Sequence, residues 1–465
     1  MRKIPFKGLI WCSFYPLWGL IIAIAWRLEE PNEITTILVV WIIQIIALLI
    51  VKKAKRAKII DSEIIWITAF SLKLLVTLVI VQYLWVPSYG TGGIHRQANA
   101  FDPAVYDYHG NIWAQSSDFT ATVMYGGIIY YIGLIYKIFG VSTFYVGLFN
   151  SLLSLSAFLF LTGILYLGSR ETKPWKFMAL GMFLPEVAYF DAIPAKAALV
   201  NASLSMAILS LYAIIDRKKY LLSYCSLAFS LLILTMIRAT TIIIFIAISF
   251  AFLLWDFRKN KKYLFSLTLM AVIFFVSSPT IISKTGGYAS NISVEIFNIS
   301  RKAEWGVQQV EKQPGGASNS LSLLFMPYNL KQAILFAPFR SVFFLVAPFP
   351  RLLWDPNISF NRNFTRLNVW CFIFLLPSIF AALFQKRCRK NRLYPYLVIP
   401  FILIIVLIAN GTYIIHPRYR VMLDPILLAT ALFGYHCGSP KRFILPTLLV
   451  VGIGLFGYFF LKSIA

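Results

Sequence analysis

Acidic residues are what this chain has least of: 18 Asp and Glu stand against 43 Lys and Arg in 465 residues. Charge of either sign is scarce, at 13% of residues, about half the share of an ordinary globular domain. That shortage excludes the two or three soluble domains that the length alone would suggest. Cysteine is sparse as well. The five (Cys12, Cys225, Cys371, Cys388, Cys437) show no CxxC or metal-ligand spacing, so they read as reduced, structural thiols rather than a disulfide framework or zinc site. Low-complexity tracts and internal repeats are missing. So are the alternating segments of about ten residues that a closed β-barrel requires.

What is present is apolar sequence, 59% of the chain. Runs near 20 residues recur from end to end, each long enough to cross ~30 Å of hydrocarbon. The pattern predicts an all-α polytopic membrane protein with about 13 transmembrane helices, within roughly 11 to 14. A net charge of +25 would suit nucleic acid, but the basic residues cluster in short loops between apolar runs, as the positive-inside rule requires. Membrane lipids are therefore the expected partners of the excess charge, and nucleic acid is not. Met1-Arg2-Lys3 leads into an apolar run without a small-residue cleavage site, which predicts an uncleaved first span.

The predicted spans cover 8–26, 34–51, 64–86, 143–168, 177–192, 197–215, 221–237, 239–255, 263–283, 367–384, 394–410, 421–435 and 443–461. Basic stretches at 52–58, 170–176, 216–219, 258–262, 386–392 and 441–442 mark the cytoplasmic side. The acidic connector 27–33 falls outside. Residues 120–139, rich in Tyr, suit a helix lying in the interface. The mostly polar stretch 284–365 carries Gly286-Gly287 and Pro314-Gly315-Gly316 and predicts a large exoplasmic loop with a partly embedded helix at 331–349. Four regions follow: a two-helix membrane extension (1–63), a membrane core (64–283) with its first exoplasmic loop at 87–139, the late loop (284–366), and C-terminal membrane helices (367–465).

This topology gathers an unusual set on the exoplasmic side: Asp102, Asp107, His109, Lys196, Arg238, Arg340, His416, Arg418 and Arg420, with Tyr106 between the two carboxylates. Singly, each has a plain reading. Asp residues cap and turn, Lys196 snorkels to the interface, and arginines at span ends meet lipid headgroups. Together they suit an anionic substrate carried on a lipid, because the planar fork of Arg donates two parallel hydrogen bonds to phosphate. A carboxylate beside an acceptor hydroxyl removes its proton, and cations hold the departing phosphate as its charge grows. That chemistry is sugar transfer from a polyprenyl phosphate, with either Asp102 or Asp107 as the base. No residue set suggests a structural metal. A divalent ion, magnesium or manganese, bridging Asp102 and Asp107 to a pyrophosphate is the cofactor such chemistry would accommodate.

The order of these features resembles the GT-C superfamily of lipid-dependent membrane glycosyltransferases, which includes protein O-mannosyltransferases and aminoarabinose transferases. The resemblance covers roughly residues 64–436 and rests on Asp102…Tyr106-Asp107…Ala114, on Tyr125-Gly126-Gly127…Phe139-Gly140, and on Arg418-Tyr419-Arg420…Pro425. It implies an inverting displacement with Asp102 as base and Asp107 as second choice. Lys196, Arg238, Arg340 and Arg418 would contact phosphate, with Tyr106, His109, His416 and Arg420 nearby. The acceptor would be an envelope glycan, lipid or protein, and the site would face the periplasm from a bacterial inner membrane. The chain departs from the family in lacking an adjacent acidic pair, and Gly110 stands where a small apolar residue is more usual. Two other readings compete. A repeat-unit polymerase or ligase would use the late loop with Arg340, Arg351, Arg362 and Arg366. A transporter or flippase would use charges within the membrane, for which Lys73 and Arg238 are the candidates.

Overall fold

The structure is a computed structural model that describes residues 33–90, 102–116, 126–169, 173–217, 220–237, 248, 330–346, 360–411, 421 and 423–452. Every element among them is helical. In chain order the helices are α1 (Glu33–Arg56), α2 (Glu63–Ile80), α3 (Asp102–Ser116), α4 (Gly126–Phe139), α5 (Thr143–Ser169), α6 (Pro185–Ala192), α7 (Ala197–Tyr212), α8 (Tyr220–Ile237), α9 (Leu330–Val346), α10 (Phe360–Phe384), α11 (Lys386–Arg389), α12 (Tyr394–Gly411) and α13 (Asp424–Cys437). Short 3-10 helices occupy Lys173–Phe183 and Pro440–Phe443. Helix α2 runs on through a π turn, Val81–Trp85, and a last turn, Val86–Tyr89.

Five of these stretches are long and apolar enough to cross a membrane: Thr35–Arg56, Glu63–Tyr89, Thr143–Ser169, Ala197–Ile215 and Asn363–Phe384. In hydrocarbon a backbone must satisfy its own polar groups, which a continuous helix does. The expected all-helical membrane architecture is therefore observed, in this coarser form. The predicted spans at 8–26, 239–255 and 263–283, and most of the late loop, lie outside the described residues.

Helix α5 is the centre of the bundle. It packs on α1, α2, α4, α6, α7 and α13. Its sequence explains why: Leu and Phe alternate with Gly147, Ser151, Ser154, Ala157 and Gly163, and small residues let helices approach closely where lipid supplies no hydrophobic drive. The hydroxyls of Ser151 and Thr162 donate to the carbonyls of Gly147 and Phe158 at 2.8 and 2.7 Å, so these polar side chains are satisfied within the helix.

One expected span is broken. Residues 177–192 do not form a single helix: the 3-10 segment ends at Phe183, and α6 begins at Pro185. Proline has no amide hydrogen to continue the ladder. On either side of this break the carbonyls of Met182 and Val187 each accept from Lys73 Nζ at 3.0 Å. Lys73 also pairs with Asp191 Oδ2 at 3.0 Å, both side chains being fully buried. Asp191, next to the end of the expected span 177–192, therefore lies in the core on α6.

Side-chain bonds sort the loops into two groups. Arg392 donates to the carbonyls of Leu167 and Gly168, Gln385 pairs with Ser439, and Trp175 meets the ring of His436 at 5.2 Å. The chain near 168–176, 385–393 and 436–442 is thus drawn together. A separate set of contacts joins α3, α4, the end of α2 and the 193–196 turn.

Candidate functional site

Helix α3 carries the two carboxylates that the sequence singles out. Asp102 sits in its first turn, where the helix dipole favours a negative charge, and Pro103 follows with the fixed φ that suits a helix start. The helix lies very close to α4. A Cβ on Gly110 would come within 2.6 Å of Ile132 Cγ2, and one on Gly133 within 2.3 Å of Trp113 Cε3. A glycine at 110 is thus required by this approach. Trp113 packs edge-on to Tyr130 at 5.6 Å and lies under Lys137 Nζ at 5.5 Å.

The two carboxylates do different things. Five residues along an α-helix turn the side chain by about 140°, so Asp102 and Asp107 face different ways. Asp107 is fully buried. Tyr136 donates to its Oδ1 in a short hydrogen bond. Thr143 Oγ1 donates to Oδ2 at 3.2 Å, and Trp85 Nε1 reaches the same oxygen at 3.4 Å. Burial, and after it the Asp107 carboxylate, push the Tyr136 phenol well above its ordinary pKa, which keeps it a donor. Asp107 thereby ties α3 to α2, α4 and the start of α5. Asp102 is only partly buried.

Tyr106 stands four residues after Asp102, on the same face and one turn along, a spacing that places Cβ atoms about 5–6 Å apart. Its hydroxyl accepts from Lys196 Nζ at 3.2 Å, and that ammonium lies 5.5 Å from the ring centroid. Lys196 is half-buried in the turn between α6 and α7. The turn is held from within: Asn150 Nδ2 donates to Ile193 O at 3.0 Å, while Tyr131 donates to Asn150 Oδ1 at 3.0 Å. Because a carbonyl only accepts, the amide nitrogen of Asn150 must face Ile193, and this fixes which way the side chain points.

The remaining expected site residues are not all brought to this place. His109 is half-buried on α3, its ring edge-on to Tyr108 at 5.4 Å. Arg340 is almost completely buried on α9, whose main packing is against α12 and α10; burial lowers its guanidinium to about 10, so it stays charged at neutral pH. Arg238, His416, Arg418 and Arg420 lie outside the described residues.

A divalent ion shared by Asp102 and Asp107 does not fit this geometry. The two side chains diverge, and both oxygens of Asp107 already accept hydrogen bonds. Among the described residues no group of three His, Cys, Asp or Glu side chains is arranged to hold a metal ion.

Two buried polar groups escaped the sequence reading. One is the Lys73–Asp191 pair, of which only Lys73 drew notice. The other joins α6, α10 and α13: Asn368 Nδ2 donates to Glu186 Oε2 at 2.8 Å and to Asp424 Oδ2 at 3.2 Å. All three of these side chains are fully buried. The available signal was the pair of Pro-flanked acids at helix starts, Pro185-Glu186 and Asp424-Pro425, together with an Asn inside an apolar run. Compared with known protein families, curated proteins and solved structures, the chain has no match.

Proposed function

We propose that this chain is an integral membrane glycosyltransferase of the GT-C type. It would move a sugar from a polyprenyl-phosphate donor to an envelope glycan, lipid or protein. The observation that carries this reading is the pairing on one face of α3: Asp102, then Tyr106 one turn on, with Lys196 bonded to the Tyr106 hydroxyl. A carboxylate and a cation set this close suit an acceptor hydroxyl and a departing phosphate. Asp102 takes the hydroxyl proton as the acceptor oxygen bonds to the anomeric carbon. The bond from that carbon to phosphate breaks, its electron pair leaves on the phosphate oxygen, and Lys196 offsets the growing charge. Attack opposite the leaving group inverts the anomeric centre. In this reading Asp107 is a positioning residue, since its carboxylate is enclosed by Tyr136, Thr143 and Trp85. The site opens to the periplasmic side of a bacterial inner membrane, which the basic loops at the opposite ends of the spans favour.

One observation favours a transporter instead. The broken stretch 173–192 with a buried ion pair is a form that transporters use at mid-membrane. The three acceptors on Lys73 make that pair a fixed brace, and the glycosyltransferase reading is preferred. The test is the envelope glycan and lipid-linked precursor profile of a host lacking the protein, complemented with wild type, Asp102→Asn, Lys196→Met or Arg340→Ala and read by mass spectrometry. Loss of a single sugar decoration with Asp102→Asn is expected. A wild-type profile from Asp102→Asn would sink the assignment, and unpolymerised repeat units with Arg340→Ala would make the enzyme a polymerase.

A further inference from the structure

The cations at 385–393 and 438–443 divide into two kinds. Arg389 Nε donates to Leu383 O at 3.0 Å, and Arg392 donates to the last carbonyls of α5, Leu167 O at 3.0 Å and Gly168 O at 2.9 Å. Those two complete helix ends, whose final carbonyls have no partner within the helix. Lys386, Arg387, Lys390, Lys441 and Arg442 do nothing of the kind. All five are exposed, and none pairs with a carboxylate among the described residues.

These five are nevertheless mounted together. Gln385 Nε2 donates to Ser439 O at 3.2 Å, and Ser439 N donates back to Gln385 Oε1 at 2.9 Å. Beneath this reciprocal pair the rings of Phe384 and Phe443 stack at 6.4 Å, and Asn391 Nδ2 bonds Cys437 Sγ at 3.5 Å. The clamp therefore joins the segment that carries Lys386 and Arg387 to the one that carries Lys441 and Arg442. Positive-inside topology requires basic loops, but it does not require two of them to be bolted to each other. Four like charges mounted on two joined segments repel one another, and an anion bound between them would offset that.

The apolar surroundings say which anion. Phe384 is 60% exposed, and the helical turns after Phe443 present Ile444, Leu445, Leu448 and Leu449, all exposed. A charged clamp with an uncovered apolar strip running away from it matches one headgroup with its acyl chains. We infer that the clamp formed by 384–391 and 438–445 is a binding site for an anionic phospholipid: Lys386, Arg387, Lys441 and Arg442 hold the phosphate, and Phe384, Ile444 and Leu445 line the chains. This inference is independent of the proposed sugar transfer.

The experiment is native mass spectrometry of the full chain, delipidated in detergent and then offered phosphatidylglycerol or phosphatidylcholine with identical acyl chains. Wild type is expected to retain phosphatidylglycerol in preference by about tenfold or more, well below the product of about fivefold per cation that four independent contributions would give. The variant Lys386→Gln/Arg387→Gln/Lys441→Gln/Arg442→Gln is expected to lose the preference. Gln385→Leu, which leaves the charge unchanged, is expected to fall between the two. Millimolar inorganic phosphate is expected to leave the lipid bound. No preference in wild type would overturn the site, as would full preference in either variant. Displacement by inorganic phosphate would reassign it to a free anion and overturn the lipid. Thermal unfolding of the four-glutamine variant, measured alongside, is expected to match wild type, since its four positions are exposed.

Discussion

Replacing Lys73 with Met tests whether the broken stretch 173–192 is held by one ammonium group. Methionine keeps the reach of the side chain and removes the charge and all three donors. In the protein those donors meet Asp191 Oδ2, Met182 O and Val187 O, each at 3.0 Å, and Lys73 and Asp191 are fully buried. Stranding a buried carboxylate costs about 3–5 kcal/mol. Two carbonyls that lose a side-chain donor add about 0.5–1.5 kcal/mol each. The double change Lys73→Met/Asp191→Leu removes the stranded charge and leaves only the carbonyls. It should recover about 2–4 kcal/mol of the single variant's loss, because an ion pair exchanged for apolar contact is often close to neutral. Unfolding in mixed micelles with increasing dodecyl sulfate, followed by tryptophan fluorescence, reads all of this on one scale. A single variant within about 1 kcal/mol of wild type, or a double variant as unstable as the single, would refute the brace.

Three further outcomes follow from the site. Asp107→Ala strands the donors of Tyr136, Thr143 and Trp85, and should cost about 3 kcal/mol or more; Asp107→Asn should cost less, and should keep more of the wild-type glycan profile than Asp102→Asn does. Gly110→Val drives side-chain atoms into Ile132 and should lower stability by about 1–3 kcal/mol, with hydrogen exchange rising across 102–116. Asn150→Leu frees Ile193 O and Tyr131 together; loosening of the 193–196 turn should then weaken binding of a short prenyl phosphate severalfold, while Asn150→Leu and wild type bind zwitterionic lipid alike.

The parts of the fold that were legible from sequence are those where one long apolar run ends in charge. Residues 143–168 are expected to span, and Thr143–Ser169 is a helix long and apolar enough to do so; 221–237 and 394–410 are helical, as α8 and α12. What stayed hidden were the events inside a run. Pro185 interrupts 177–192 without changing its hydropathy, so periodicity alone carries the span straight through it. Lys73 is conspicuous as a charge in lipid, yet its partner Asp191 is 118 residues away in the chain, where it falls at the end of an apolar run close to Pro194 and Lys196. The same holds for the site. The acidic loop stood out by composition, but which carboxylate is enclosed depends on Tyr136, Thr143 and Trp85 converging from three other elements. No spacing rule within α3 encodes that convergence.

The π turn at Val81–Trp85 makes the bearing of the last turn of this helix a matter of counting. A π turn contains one residue more than the α turn it replaces, and one residue is worth about 100° of helical rotation. Everything after it, from Trp85 through Gly90, is therefore dialled round by that amount relative to an uninterrupted helix. The indole of Trp85 reaches Asp107 from this rotated setting. A shortening of the chain by a single residue within 81–85 would leave a perfectly good apolar rod, as long and as greasy as before. It would also swing Trp85 off Asp107 and turn Val86–Tyr89 to a new bearing. The span acts as a mount whose angle is set by arithmetic, and hydropathy is blind to it.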